Sequence, residues 1–366
     1  MAARPELHVG LMSGTSMDGV DAVLCDFGTQ AARVLASHHI DYPEHLRRAL
    51  QGLREPGENE LHRAAEASAA LARLYAECVG GLLTAARIPA SRIAALGCHG
   101  QTVRHRPERG YSIQLNNAAL LAELTGITVV ADFRARDIAA GGQGAPLVPA
   151  FHDAAFRVSD RHRVILNLGG IANLTDLAPG RATRGFDCGP GNTLMDAWAE
   201  STLGRRYDEG GEFAAGGWPI AGLLAAMAHH PFLALAPPKS CGQEQFNLDW
   251  VKSLLDGTER PEDVQATLLE FTATAAVQAI GRWCDKPDDL LVCGGGARNR
   301  ALMRRLAALL PGVRVRTTDD VGIGAEQVEA CAFAWLAMRT LRGLPGNLAE
   351  ATGARAPRVL GAIHPA

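Results

Sequence analysis

Three times along this chain a short apolar run stops at a cluster of glycines, and that recurrence constrains the fold more than any other feature. Residues 8–12 give way to a turn at 13–19 carrying Gly14 and Gly19, and then to a second apolar run at 20–27. Residues 164–168 stop at Gly169-Gly170, and the apolar pattern resumes at Ile171. Residues 290–293 stop at Gly294-Gly295-Gly296, after which Leu302, Met303, Leu306 and Leu309 recur at helical spacing behind an N-cap at Asn299. The first two patterns read as β-hairpins and the third as strand, turn and helix. The chain is therefore expected to be an α/β protein whose strand ends open onto glycine turns, the places where open sheets hold ligands.

The turns suit an anion. Gly14 and Gly19 let backbone N–H groups approach a ligand, and the hydroxyls of Ser13, Thr15 and Ser16 are placed to meet phosphate oxygens. An ordinary polar hairpin turn is the alternative. The second hairpin echoes the first, so each presumed domain carries one copy of a weak internal repeat. None of the three turns has the G-x-G-x-x-G spacing of a dinucleotide fingerprint or the spacing of a Walker loop, because position 299 is asparagine and the hairpins do not open directly into helices.

A length of 366 residues favours two domains. With 47% hydrophobic and 20% charged residues the composition is that of a soluble globular protein. A net charge of -3 gives no electrostatic footprint for nucleic acid or an anionic membrane. The first residues lack the apolar core of a signal peptide and no run approaches the ~18 apolar residues of a membrane span, so the expected location is the cytoplasm. Eight cysteines without a Cys-x-x-Cys pair point to reduced, buried thiols and away from zinc; Cys188, in a glycine-rich turn, is the one expected at the surface.

Between the glycine turns, residues 43–87 are helical in pattern, with Leu61, Leu71, Tyr75, Cys78 and Leu82 on one face. A buried strand at 93–98 stops at His99, Gly100, Gln101 and Thr102. Residues 118–124 form a helix capped by Asn116 or Asn117, and a strand at 127–131 ends before Arg134 and Asp137. For His99 and Gln101 a ligand role stands beside bonding to neighbouring backbone; for Arg134 and Asp137 it stands beside a surface ion pair. The segment 141–146 reads as the crossing between domains. Asp187 sits at a corner before Gly189-Pro190-Gly191 and a helix starting near Asn192, where a carboxylate can face a cleft and accept a proton or merely brace its turn. Asp196 reads as a solvated helix residue. Lys239 lies in a loop at 237–244 and reads as a solvated lysine or a cation for a substrate anion. A last helix, 326–341, has Glu326 and Glu329 in its first turn, where its dipole favours them.

Six ordered motifs then carry a resemblance. They are Gly-Leu-Met-Ser-Gly-Thr-Ser-Met-Asp-Gly-Val-Asp at 10–21, Gly-Cys-His-Gly-Gln-Thr at 97–102, Ala-Asp-Phe-Arg at 131–134, Leu-Asn-Leu-Gly-Gly-Ile-Ala-Asn at 166–173, Phe-Asp-Cys-Gly-Pro-Gly-Asn at 186–192 and Cys-Gly-Gly-Gly-Ala-Arg-Asn at 293–299. Together they resemble the anhydro-N-acetylmuramic acid kinase family, from about residue 7 to residue 340.

The resemblance implies two related actin-like (ribonuclease H-like) α/β ATPase domains with an inter-domain active-site cleft for ATP and Mg²⁺. The expected domains are 1–140, completed by 345–366, and 141–344. It implies ATP contacts from Ser13, Gly14, Thr15, Ser16, Met17, Asp18, Gly19, Val20 and Asp21 on one domain, and from Gly169, Gly170, Asn173, Gly294, Gly295, Gly296 and Asn299 on the other. Asp187 matches the family's catalytic base. His99, Gln101, Arg134, Asp137 and Glu329 would line the sugar pocket, and no metal ligand is assigned. The implied reaction opens 1,6-anhydro-N-acetylmuramic acid and phosphorylates O6, in peptidoglycan recycling. The partners are the sugar and ATP, with no nucleic acid or membrane; nothing in the pattern demands a homodimer.

This sequence departs from the implied pattern in places. Met12-Ser13 stands where the superfamily carries an aspartate, a change this kinase family shares. Cys188 and Cys241 replace threonines, and Glu326-Gln327 replaces an aspartate-tryptophan pair. A non-catalytic ATP-driven clamp and a serine hydrolase using Ser13 or Ser16 are the competing readings; the latter lacks a G-x-S-x-G elbow.

Overall fold

The computed structural model describes residues 6–14, 17–28, 32–242 and 244–366. Thr15 and Ser16 of the first turn lie outside the described residues. The chain divides into two compact units, Met1–Ala155 with Gln327–Ala366, and Phe156–Glu326.

In the first unit the apolar runs around the opening turn pair as expected. Strands β1 (Leu7–Met12) and β2 (Gly19–Asp26) are antiparallel, with Leu7 opposite Asp26 and Met12 opposite Asp21. β3 (Arg33–Asp41) adds to β2 and alternates exposed with partly covered residues, the pattern of an edge strand. On the other side β4 (Ile93–Cys98) runs parallel to β1. The chain then makes a separate two-stranded hairpin, β5 (Gln101–Arg106) with β6 (Tyr111–Leu115). It returns to the main sheet as β7 (Val129–Ala131), parallel to β4, and the C-terminal strand Ala362–His364 closes that edge antiparallel to β7.

Helices flank this sheet. The pattern at 43–87 is interrupted around Gly52, Pro56 and Gly57, which are poor helix residues, so it forms helices Glu44–Gln51 and Glu60–Ala86. The second buries Leu71, Tyr75, Cys78 and Leu82, whereas Leu61, expected on that face, is 90% exposed in the first turn. Glu60–Ala86 is the one described helix long and apolar enough to cross a bilayer, but its apolar face packs on β2 and β3 within the core. Helix Val328–Leu341 covers the opposite face over β1 and β4. Gly10 and Gly97 are register partners there, and a Cβ on either would sit 1.7 Å from the Ala330 carbonyl oxygen or 1.9 Å from that of Phe333. The two glycines let helix backbone lie directly on strand backbone.

The second unit repeats the plan. β8 (Arg163–Leu168), β9 (Ile171–Leu177) and β10 (Arg184–Pro190) form an antiparallel meander, and β11 (Asp289–Cys293) and β12 (Arg314–Thr317) extend it in parallel from β8. The order β10-β9-β8-β11-β12 matches β3-β2-β1-β4-β7 strand for strand. The repeat visible in the two hairpins is thus the local trace of a duplicated sheet. Helix Pro261–Trp283 is largely buried in this unit.

The units meet the sequence-based boundaries only roughly, dividing at 155/156 and 326/327 instead of 140/141 and 344/345. At the second boundary the cause is helix Val328–Leu341, which packs on the first unit's sheet. Segment 141–146, read as the crossing, lies inside the first unit. Gly144 N–H donates to Asp137 at 2.8 Å and Gln143 N–H donates to the Thr352 carbonyl at 2.8 Å.

Candidate active site

In the first unit the hairpin loop is anchored from below. The Ser13 hydroxyl is buried, 2.7 Å from the Tyr75 hydroxyl, and donates to the Gly100 carbonyl at 3.1 Å. Gln101, fully buried, accepts from the Tyr42 hydroxyl at 3.0 Å and donates to the Gly14 carbonyl at 3.0 Å. Burial pushes Tyr42 up to about 12, so its hydroxyl stays a donor. Ser13 and Gln101 therefore fix the loop's position from inside the fold, and among the described residues no imidazole is bonded to the Ser13 hydroxyl as it would be to a hydrolase nucleophile. Met17 is buried at φ +53°, and the Asp18 carboxylate accepts from Gly19 N–H at 3.0 Å. Val20 is buried in β2, beside the half-buried Asp21.

Beyond the ends of β4 and β7, His99, Arg134 and Glu329 come together. His99 Nε2 lies 2.8 Å from an Arg134 guanidinium nitrogen. A guanidinium only donates, so Nε2 accepts and the ring is neutral with its proton on Nδ1. Burial and the Arg134 charge hold His99 well below its ordinary value. The His99 ring rests 4.6 Å from that of Phe333. Arg134 also donates to the Gly144 carbonyl at 2.6 Å. Burial lowers Arg134 to about 10 against the opposing charges of Glu329 and Asp137, so it remains a cation near neutrality. Asp137 is placed differently from its neighbours. It is fully buried, accepting from Gly144 N–H, from Asn347 at 2.5 Å and from Thr352 at 2.7 Å. It is a brace within the fold and makes no surface ion pair.

The β5–β6 hairpin adds polar groups that the sequence reading did not single out. Gln114 donates to the hydroxyls of Thr102 at 3.1 Å and Ser112 at 2.7 Å, and His105 Nδ1 lies 2.9 Å from Ser112 Oγ. Burial and then the Arg134 charge lower His105 to about 4. The available signal was the alternation of polar residues at 102–106 and 112–114 on two short strands.

In the second unit the remaining glycine turns converge. Gly191 and Thr193 N–H donate to the Gly170 carbonyl, and Asn192 N–H donates to that of Gly169 at 2.8 Å. The Asn192 side chain donates to the Leu168 carbonyl at 2.8 Å. Its Oδ1 would lie 2.8 Å from a Cβ on Gly296. Gly294, at φ +80°, packs so closely on Asn167 and Leu168 that a Cβ would meet Asn167 Oδ1 at 2.4 Å. Gly295 opens the short turn that leads to Asn299, whose side chain caps helix Arg300–Leu309 by accepting from Leu302 N–H at 3.0 Å. Asn173 stands on β9 opposite Asp187.

Asp187 lies within β10 at a bulge in its pairing with β9. Its amide donates to the Lys239 carbonyl at 3.1 Å, and its Oδ2 accepts from Cys241 N–H at 3.0 Å. The side chain is half-buried. Desolvation pushes its carboxyl up to about 7, with the Cys241 N–H and the Lys239 charge pulling the other way. Lys239 is buried, donating to the carbonyls of Phe232 and Leu233 and sitting 4.5 Å over the Phe232 ring. The solvated lysine expected from the sequence is thus an internal cation.

Residues 6–366 match the family model described as anhydro-N-acetylmuramic acid kinase. The chain belongs to that family. Among curated relatives of that name, the Thiobacillus denitrificans protein is 58% identical over 365 residues, covering 99% of this chain and 98% of its own. The Nitrosomonas europaea protein is 53% identical over 361 residues, covering 98% and 99%. Solved structures resemble it more loosely. An activator of 2-hydroxyisocaproyl-CoA dehydratase from Clostridium difficile with bound ADPNP shares 14% identity at TM-score 0.48, covering 92% of this chain and 96% of its own. A ROK family glucokinase from Streptomyces griseus in complex with glucose and AMPPNP shares 12% at TM-score 0.44, covering 90% and 98%.

The departures from the kinase family's pattern have local explanations. Cys188, expected at the surface, is buried and donates from Sγ to the Ala172 carbonyl at 3.3 Å, a bond a threonine hydroxyl would also make. Cys241 reaches Asp187 through its backbone N–H, whatever its side chain. Glu326 pairs with Arg298 beside the third glycine turn, and Gln327 donates to Ser37 at 2.9 Å. All eight cysteines are free thiols, seven of them buried.

Proposed function

We propose that this protein is an ATP-dependent kinase that opens 1,6-anhydro-N-acetylmuramic acid with water and phosphorylates O6, yielding N-acetylmuramic acid 6-phosphate and ADP in cell-wall recycling. Kinship over nearly the whole chain supplies the reaction. The observation in this molecule that carries it is Asp187, a half-buried carboxylate whose acidity lies near neutrality. A base with that acidity is about half ionised at pH 7 and basic enough to take a proton from water.

In this reading Asp187 removes a proton from a water as its oxygen attacks the anomeric carbon. The bond from that carbon to O6 breaks, and O6 attacks the γ-phosphorus, displacing ADP. Arg134, Glu329 and His99 hold the sugar. The turns at Gly169-Gly170 and Gly294–Gly296, with Asn299, receive the nucleotide; the loop from Ser13 to Asp21 meets its phosphates. Positioning and charge stabilisation account for most of phosphoryl-transfer catalysis, which suits rigid backbone turns. Gln101 and Asp137 act indirectly, by setting the loop and the Arg134 segment.

Among the described residues no three His, Cys, Asp or Glu side chains cluster as an all-protein metal site. Mg²⁺ commonly reaches such sites on the substrate's phosphates with few protein ligands, so none is assigned here. When bound with ATP, Mg²⁺ supplies charge neutralisation.

The test is turnover in ¹⁸O-labelled water. Label is expected in the anomeric hydroxyl and not in phosphate. Label in phosphate would identify simple ATP hydrolysis, as would ADP release independent of the anhydro-sugar.

A further inference from the structure

At the root of the hairpin loop stands a histidine, His39, to which no role has been given. His39 Nδ1 lies 2.8 Å from Asp21 Oδ1, and its Nε2 is 3.6 Å from Asp41 Oδ1. Asp18 adds its charge from the loop. The ring covers the backbone where loop becomes strand, since a Cβ on Gly19 would lie 2.7 Å from ring Cε1 and 2.8 Å from Nε2. The backbone is tied at the same point by Tyr42 N–H donating to the Asp18 carbonyl at 2.8 Å. Two carboxylates thus flank one imidazole, with the charge of Asp18 acting on it as well, at the base of a loop proposed to receive a triphosphate, which is itself strongly anionic.

We infer that His39 is a positioning residue for ATP: in its protonated form it pairs with Asp21 and offsets the carboxylates of Asp18, Asp21 and Asp41, so that the hairpin loop accepts the nucleotide's phosphates. This rests on the kinase reading above and adds to it a pH-dependent affinity. Other groups near the pair face elsewhere. His38 points to the opposite face, against Gly81 of helix Glu60–Ala86, and Cys78 of that helix donates to the carbonyls of Val20 and His38. Burial lowers His39, but bonds and charge from Asp21, Asp41 and Asp18 outweigh it, so the group is raised above 6.5. The imidazolium pairing is therefore complete at lower pH and is lost as pH rises through that raised value. Both side chains are nearly half exposed, at 45% and 47%, so solvent screening keeps the effect modest.

The experiment measures KM for ATP and kcat from pH 6 to 9 in wild type, His39→Gln and His39→Lys, comparing variants at each pH because ATP's terminal phosphate also titrates. Wild-type KM is expected to rise about threefold relative to His39→Lys across the range, a size suited to an exposed charge pair. His39→Gln should show the raised KM already at low pH, with kcat following the same pH profile in all three. Coincident KM curves for wild type and His39→Gln would overturn the role. A histidine NMR titration supplies the second readout: Asp21→Asn should lower the His39 pKa, and an unchanged value would overturn the pairing. If the wild-type protein itself does not turn over ATP with the anhydro-sugar while the NMR pairing is intact, the kinase reading fails, and this role with it.

Discussion

Asp187 and Asp137 show how differently two carboxylates, both visible as acidic residues in the sequence, are held. Asp187 keeps one oxygen on the Cys241 N–H and has its acidity raised to about 7 by desolvation. With Asp187 as the proposed base, which must be ionised to act, kcat/KM for the anhydro-sugar should climb with pH through about 7 and then level off. Asp187→Asn should lower kcat by on the order of a thousandfold while ATP binding, read by calorimetry, survives; a near-normal rate would remove Asp187 from its role. Asp137 has its oxygens on Gly144, Asn347 and Thr352 in full burial. Asp137→Ala leaves those donors unsatisfied and should cost about 3 kcal/mol or more in denaturant unfolding. A variant of normal stability with a raised KM for the sugar would instead place Asp137 on the substrate. The sequence exposed both residues, but Cys241 lies 54 positions from Asp187, and Asn347 and Thr352 lie 210 and 215 from Asp137, distances at which local pattern is silent.

At the level of elements, legibility followed the range of the interaction. The hairpins of β1–β2 and β8–β9, the Asn299 cap and the helix behind it were readable because apolar period, turn residues and cap all lie within a few positions. Where the chain depends on distant backbone, the reading fell short. Lys239 looked like a surface cation, yet it buries its ammonium on the end of a short helix under Phe232. Cys188 looked exposed in its glycine turn and is instead a buried thiol on β10. Gly10 and Gly97 were unremarkable in an apolar run, and only the helix laid across them shows why no side chain fits. Gly10→Ala forces a methyl into the Ala330 carbonyl, and overpacking of this kind costs roughly 3 kcal/mol. The helix it displaces carries Glu329 in its first turn, so the same variant should lose sugar affinity as well as thermal stability. Normal melting and normal KM together would show that the helix does not depend on this contact.

For the whole molecule, the decisive feature is that the first unit is built from both ends of the chain. Its sheet edge is the C-terminal strand paired with β7, and its helix Val328–Leu341 is anchored by Thr340 donating to the Leu360 carbonyl at 2.5 Å. Asn347 and Thr352 hold Asp137, and through it the segment that presents Arg134. The second unit, Phe156–Glu326, is one continuous stretch inserted between these two parts. The duplicated strand order explains how a single hairpin pattern could appear twice in sequence, whereas the late return of the chain leaves no periodic signal. A chain ending at residue 344 loses the edge strand and two of the Asp137 donors but none of the second unit. Removing those bonds alone costs on the order of 3 kcal/mol, and roughly 10 °C in melting temperature for a unit of this size. Two transitions are therefore expected in calorimetry of the truncated chain, the lower one absent from the full-length protein and the upper one unchanged. A single transition at the full-length temperature would mean that the C-terminal segment only decorates the first unit, and Arg134 would then have to be held by contacts within residues 1–155.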